Sequence, residues 1–286
     1  MSEALRKIGQ VLNIPISWIP FCLIIVILLV LFFVFYPRVE SFLIYYPEAS
    51  FESVPSDWQL TYEDVYFETE DHTRLHGWFF PLEGNAPVIV FCHGNAGNIS
   101  HRIDNIKLLL DQGIQVLIFD YRGYGKSAGR PSEQGLYQDG LAAYDFLVNH
   151  KHIAPQRIVL FGRSLGAGVA VEIALRREVR SLIIESAFTS TKEMAKTMFL
   201  FKALSYFLPS HYNNLERLGR VSVPKLIIHG RDDEIVPFSM GEELYDTAQE
   251  PKYFFPIKGA GHNDTYLVGG KTYFERLAAF VRNSKI

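Results

Sequence analysis

Near the middle of the chain, Gly162-Arg163-Ser164-Leu165-Gly166 sets a serine between two glycines in the pattern G-x-S-x-G. A serine hydroxyl is a weak nucleophile until a base takes its proton, so the motif carries chemistry only with partners. Its flanks give the first support. RIVLF precedes it as a short apolar run, and GAGVAVEIALR follows as helix-compatible sequence, which puts Ser164 on a sharp strand-to-helix turn. Glycines at both flanks permit close backbone approach there. The plain alternative is a helix N-cap between tightly packed glycines.

Among nine histidines, His262 in KGAGHNDTY stands out, because it follows an apolar run at 252–257 and lies in a Gly-rich loop. It also follows nucleophile and acid in the chain order that such sites use. The base needs a carboxylate to hold its tautomer and to stabilise the imidazolium. LIIHGRDDEIVPF offers Asp233 for that role, with Asp232 its neighbouring alternative. Glu185, ending RSLIIES, is a separate carboxylate expected at the same edge, as a substitute or behind the site. Negative charge on a reacting carbonyl oxygen must meet backbone N–H groups. Leu165, at the start of its helix, should give one, and Asn95 in His93-Gly94-Asn95-Ala96-Gly97-Asn98 the other. His93 is expected to brace that loop rather than to move protons.

These residues can meet only if the right elements carry them to one edge. Runs at 60–69 and 73–81 read as strands around a Glu70-Asp71-His72 turn, and 87–92 as a strand buried on both faces. Further strands are expected at 114–120, 157–162, 180–186, 224–230 and 252–257. Between them the pattern predicts helices over 100–110 with Ser100 as N-cap, 135–150, from Ser164 to about 176, 238–249 and about 268–283. This alternation predicts an α/β fold with a mostly parallel central sheet and helices on both faces. The stretch 187–223, with the apolar KTMFLFKALSYFLP, exceeds an ordinary crossover and reads as a small cap-like insertion, or else as a core-packing helix with a long loop.

Before this domain the chain changes character. No charged residue occurs between Lys7 and Arg38, and Phe21 to Tyr36 is one unbroken apolar run. A crossing needs about 20 apolar residues, so one transmembrane helix is expected over 14–37. The chain then divides into a short N-terminal segment at 1–13, the anchor in the lipid bilayer at 14–37, a juxtamembrane connection at 38–57 and a catalytic domain at 58–286. Arg6 and Lys7 before the run, against Arg38 beyond it, place the N-terminus in the cytoplasm and the catalytic domain on the lumenal, extracellular or periplasmic side. Asn98-Ile99-Ser100 and Asn263-Asp264-Thr265 are glycosylation sequons beside the expected site, and in a glycosylating lumen both are expected to remain largely unmodified.

Composition removes other classes. A formal net charge of -3 offers no overall attraction for nucleic acid, and none is expected as a partner. With 48% hydrophobic residues the chain is not disordered, and two cysteines, Cys22 and Cys92, form no disulfide scaffold. The histidines lack metal-ligand spacing and the glycines lack G-x-G-x-x-G, so no metal and no cofactor is expected.

The blocks HGNAGNISHR, FDYRGYGKSAGRPSE, GRSLGAGVA, IESAFTS, HGRDDEIVP and GAGHND occur in an order that resembles the α/β-hydrolase-fold serine hydrolases, specifically the membrane-anchored α/β-hydrolase domain-containing group. The resemblance spans about 58–286. It implies a nucleophile at Ser164, an acid at Asp233, a base at His262 and oxyanion contacts at Asn95 and Leu165. It also implies substrates among esters and thioesters of lipids or acylated molecules. Members that remove palmitate from proteins carry an N-terminal cysteine cluster, whereas this chain has only Cys22 there. Amide or peptide cleavage by the same machinery, and a catalytically silent binding protein, are the competing expectations.

Overall fold

The computed structural model describes residues 18, 20–28, 30, 42, 44–197, 202, 205 and 209–284. Two compact units divide the chain, Met1–Tyr45 and Tyr46–Ile286. In the first, residues 20–28 are helical. Most of the expected membrane span at 14–37 lies outside the described residues, and among those described no helix is long and apolar enough to cross a membrane.

The second unit is built on an eight-stranded sheet. Its strands are β2 (Glu63–Glu68), β3 (Arg74–Phe80), β4 (Val88–Cys92), β6 (Gln115–Phe119), β7 (Ile158–Arg163), β8 (Ser181–Glu185), β9 (Lys225–Gly230) and β10 (Lys252–Ile257). Across the sheet they run β10-β9-β8-β7-β4-β6-β3-β2, with β3 antiparallel to both neighbours and the other pairs parallel. Two short strands, β1 (Tyr46–Pro47) and β5 (Ala96–Gly97), pair beside it. Among the described residues, seven α-helices complete the unit: α1 (Ile103–Leu110), α2 (Glu133–Asn149), α3 (Leu165–Arg176), α4 (Thr191–Thr197), α5 (Asn214–Leu218), α6 (Phe238–Thr247) and α7 (Thr265–Asn283).

The sheet forms because its central strands are apolar on both faces. All five residues of β4 are fully buried, and Phe91 stacks on Phe161 of β7 with ring centroids 4.7 Å apart. Each such side chain contributes about 1.5–3 kcal/mol when removed from water. Helix α2 lies close on α3 because Gly140 has no side chain, and a Cβ there would run into Val169. The chain leaves β4 for β6 on one side and later continues from β7 on the other. Their carboxyl ends therefore flank a topological switch point, where open α/β sheets bind ligands.

The element boundaries differ from expectation in two instructive places. Ser100 does not cap the first helix: Asn98 accepts the Ser100 N–H, a 3-10 turn runs over Ile99–Arg102, and α1 starts at Ile103. Ser100 Oγ instead donates to Asn98 Oδ1 and accepts the Glu52 N–H. The last helix begins at Thr265, earlier than expected, and bends at Gly270, where φ is 49°. Within the insertion at 187–223, α4 and α5 are described, whereas most of the apolar stretch at 198–208 lies outside the described residues.

Candidate active site

The end of β7 places Ser164 in a conformation that side chains avoid, with φ 52° and ψ -117°. Such a residue costs on the order of 1–3 kcal/mol and persists only when its surroundings hold it. Two backbone bonds do so here. Ser164 N donates to the Glu185 carbonyl at 2.8 Å, and its own carbonyl accepts from Ala167 N at 3.0 Å. The flanking glycines are required by space. A Cβ on Gly162 would lie 2.5 Å from the Gly166 carbonyl oxygen, and one on Gly166 would collide with the carbonyl of Cys92.

His262 reaches the serine from the loop after β10. Its Nε2 lies 3.1 Å from Ser164 Oγ and its Nδ1 2.8 Å from Asp233 Oδ2. The carboxylate can only accept, so Nδ1 carries the hydrogen and Nε2 is left as an acceptor facing the Ser164 hydroxyl. Asp233 Oδ1 accepts the main-chain N–H groups of Ile235 at 2.9 Å and Val236 at 2.8 Å. Burial opposes the charge on Asp233, but hydrogen bonds from His229 and His262 outweigh it and hold the carboxyl well below its usual range. It is therefore ionised wherever the imidazole can act as a base.

The loop bearing His262 is tied down at several points. Gly261 N donates to Asp264 Oδ1 at 2.7 Å, and His262 N to Glu234 Oε2 at 3.3 Å. Arg163 Nη2 and Ser186 Oγ both donate to the His262 carbonyl, at 3.2 and 3.4 Å. Glu185 is not the partner of His262. Its buried carboxylate pairs with Arg163 Nε at 3.3 Å and accepts the hydroxyls of Thr265 at 2.8 Å and Tyr273 at 2.5 Å. Asp232 is exposed, while Asp233 is the acid aligned with the imidazole.

The loop after β4 passes beside the serine, with a Cβ on Gly94 falling 3.7 Å from Ser164 Cβ. Tyr121 donates its hydroxyl to the His93 carbonyl at 2.9 Å, and Tyr124 to the Asn95 carbonyl at 2.8 Å. The YRGYG block thus fixes the loop that carries Asn95. His93 is fully buried, and its Nδ1 lies 2.6 Å from the Gly94 carbonyl oxygen. Burial pushes its pKa down to about 3, so it stands as a neutral brace. Leu165 is the first residue of α3, where an N–H has no acceptor within its helix and the helix dipole favours negative charge. Arg122 is bound to Asp139 and Asp71 and serves the turn rather than the site.

Burial separates the two sequons. Asn98 is fully buried, and its amide donates to the carbonyls of Glu48 and Ser50, so the folded chain offers no room for a glycan there. Asn263 is exposed. Among the described residues no group of three or more His, Cys, Asp or Glu side chains is placed to hold a metal ion.

Sequence reasoning missed two contributors to this geometry. Arg163 occupies a variable position of the motif, and His229 lies in a strand, where it read as part of an apolar run. The signal for His229 was its position four residues before Asp233, which an α/β turn can fold back onto the acid.

Comparison with known proteins agrees with this architecture. A family model described as alpha/beta hydrolase fold matches residues 87–217. The protein Rv2307c of Mycobacterium tuberculosis is 40% identical over 246 residues, covering 85% of this chain and 88% of that protein. The alpha/beta hydrolase domain-containing protein WAV2 of Arabidopsis thaliana is 34% identical over 253 residues, 81% of this chain and 82% of its own. The esterase Pf2001 of Pyrococcus furiosus superposes with a TM-score of 0.71 at 24% identity, over 84% of this chain and 97% of that one, a likeness of fold.

Proposed function

The chain belongs to the α/β-hydrolase fold family, and from that premise we propose that it is a serine hydrolase cleaving a carboxylic ester or thioester. The hydrogen-bonded line Ser164–His262–Asp233 carries the reading, because Nε2 lies within reach of the hydroxyl and Nδ1 within reach of the carboxylate, as an acyl transfer requires. Ser164 Oγ attacks the acyl carbon while His262 Nε2 takes the hydroxyl proton. The carbonyl electron pair moves onto oxygen, where the main-chain N–H groups of Leu165 and Asn95 meet it. One such donor is typically worth about 10²–10³ in rate. The tetrahedral species then collapses, and the leaving alcohol or thiol departs with the proton held by His262. Water, activated by the same imidazole, releases the acid and restores Ser164.

A lipidic acyl group is supported by exposed apolar side chains flanking the acid and the base in sequence. Ile235 follows Asp233 closely, and Leu267 and Val268 open α7 just after His262. The same reading seats the enzyme in a bilayer through residues 14–37, with the N-terminus cytoplasmic and the catalytic unit on the opposite side. The charge-free stretch between Lys7 and Arg38 supports it.

Hydrolysis of p-nitrophenyl esters, acyl thioesters and matched amides of varied chain length, measured beside Ser164→Ala, tests this function. Serine-dependent turnover of esters or thioesters is expected, rising with acyl length. Turnover confined to amides would overturn the ester reading. Resistance of the full chain to carbonate extraction and protection of a C-terminal tag from added protease are expected for the proposed topology.

A further inference from the structure

Asp233 is approached by a second histidine. His229, on β9, is fully buried, and its Nε2 lies 3.0 Å from the Val236 carbonyl oxygen and 3.3 Å from Asp233 Oδ2. Two acceptors converge on one ring nitrogen, so that nitrogen carries a hydrogen. Nδ1, the other nitrogen, meets no partner among the described residues. Gly241 of α6 closes over it, since a Cβ there would come 2.5 Å from Nδ1. A second proton on the ring would leave a buried N–H without an acceptor, which is costly for a cation. The cavity therefore suits a neutral imidazole in its Nε2–H form.

We infer that His229 is a positioning residue for the triad: its Nε2–H, bonded to the Val236 carbonyl and 3.3 Å from Asp233 Oδ2, holds that oxygen in line with His262 and limits how strongly it draws the imidazolium. The inference rests on the serine-hydrolase reading. Asp233 Oδ1 is already engaged by two main-chain N–H groups, so Oδ2 alone faces both histidines. Each donor an oxygen accepts spreads part of its charge. Without His229, Oδ2 attracts the protonated form of His262 more strongly, and an imidazolium cannot take the Ser164 proton.

The other charged groups facing this pair are few and already engaged. Glu234 accepts the His262 main-chain N–H, and Arg163 from β7 donates to the His262 carbonyl while paired with Glu185 of β8. From α6, His229 meets Gly241 and the Phe238 ring, which Arg231 covers. Neither α6 residue carries a charge.

The test is the rate of inactivation by a fluorophosphonate as a function of pH, using full-length wild type, His229→Leu and His229→Gln. The leucine variant is expected to move the acid limb upward by about half a unit or more and to lower the plateau. The glutamine amide can donate in place of Nε2–H, and that variant is expected to keep the wild-type limb. A reactive wild type beside a leucine variant with an unmoved limb would overturn the inference and leave the hydrolase reading intact. A wild type unreactive at every pH would remove that reading and the inference with it. Should the leucine variant fail to fold, the ring nitrogen shifts of wild-type His229 decide: an Nε2–H form throughout supports the inference, and an Nδ1–H form or a titrating ring overturns it.

Discussion

Arg163 and His262, 99 residues apart in sequence, are joined by a hydrogen bond from the guanidinium Nη2 to the main-chain carbonyl of the histidine, at 3.2 Å. The residue preceding the proposed nucleophile thereby fixes the loop that carries the proposed base. The arrangement needs Glu185, because a guanidinium this deeply buried requires a counter-charge, and Glu185 Oε1 lies 3.3 Å from Arg163 Nε. Thr265 and Tyr273 hold that carboxylate in turn, so α7 takes part in placing the imidazole.

Arg163→Met is expected to lower kcat by about tenfold or more, since a shift of a fraction of an ångström in His262 weakens proton transfer from Ser164. KM should change little, because Arg163 is buried and engaged by Glu185 and the His262 carbonyl. Arg163→Lys keeps the charge and should recover part of the loss. Steady-state kinetics on whichever ester the wild type turns over give the comparison; a change confined to KM would argue against a role in placing the base.

Gly166→Ala tests the contact between α3 and β4. The added methyl collides with the Cys92 carbonyl, which is backbone and cannot move without displacing the loop carrying Asn95. A stability loss of about 1–3 kcal/mol and loss of most activity are expected. Thermal unfolding and labelling rate read the two effects separately.

Removing one hydroxyl isolates the loop from its ring packing. Tyr124→Phe keeps the aromatic contact with His93 at 5.5 Å but loses the 2.8 Å bond to the Asn95 carbonyl. The expected cost is about 1 kcal/mol in stability, with a larger fall in kcat than in 1/KM, because Asn95 is proposed to meet charge that develops only in the transition state. An unchanged kcat would separate this loop from the chemistry.

His93 supplies a pH dependence of stability. Burial holds its pKa down to about 3 in the folded chain, whereas the unfolded chain takes up the proton near the ordinary histidine value of 6.5. The stabilising contribution is full above that value and is lost as the pH falls toward the folded one. His93→Phe fills the same space between Tyr121 and Tyr124 and cannot be protonated. Its unfolding midpoint should therefore fall less steeply than that of wild type between about pH 6.5 and pH 4. Parallel curves would contradict a neutral buried His93.

The parts of this molecule that could be read from sequence are those in which local chemistry and position coincide. β4 announces itself because a strand covered on both faces has no polar position, and VIVFC has none. Ser164 is readable because its strained turn demands glycines on both sides, which leaves a motif. The family resemblance likewise extends to the α/β-hydrolase fold. The true cap of the first helical turn was not readable. Asn98 and Ser100 are both good caps, and the choice depends on Glu48, Ser50 and Glu52 arriving from far along the chain. Arg163 and His229 were hidden for the same reason. A guanidinium at a variable motif position and a histidine inside a strand acquire their roles only when β7, β8, β9 and the loop after β10 come together. Most of the apolar stretch at 196–209, inside the expected 187–223 insertion, and most of the expected span at 14–37 lie outside the described residues and remain expectations of the sequence.

In the proposed function His262 and Asp233 make Ser164 a nucleophile. The most direct measurement is the mass and site of the adduct formed when the full chain reacts with a fluorophosphonate, in wild type, Ser164→Ala, His262→Ala and Asp233→Asn. One phosphonyl group on the peptide containing Ser164 is expected in wild type, none on that peptide in Ser164→Ala, and labelling slowed by at least about 10³ in the His262 variant and less severely in the Asp233 variant. Labelling that persists at the wild-type rate in Ser164→Ala, or that is indifferent to His262, would contradict the account.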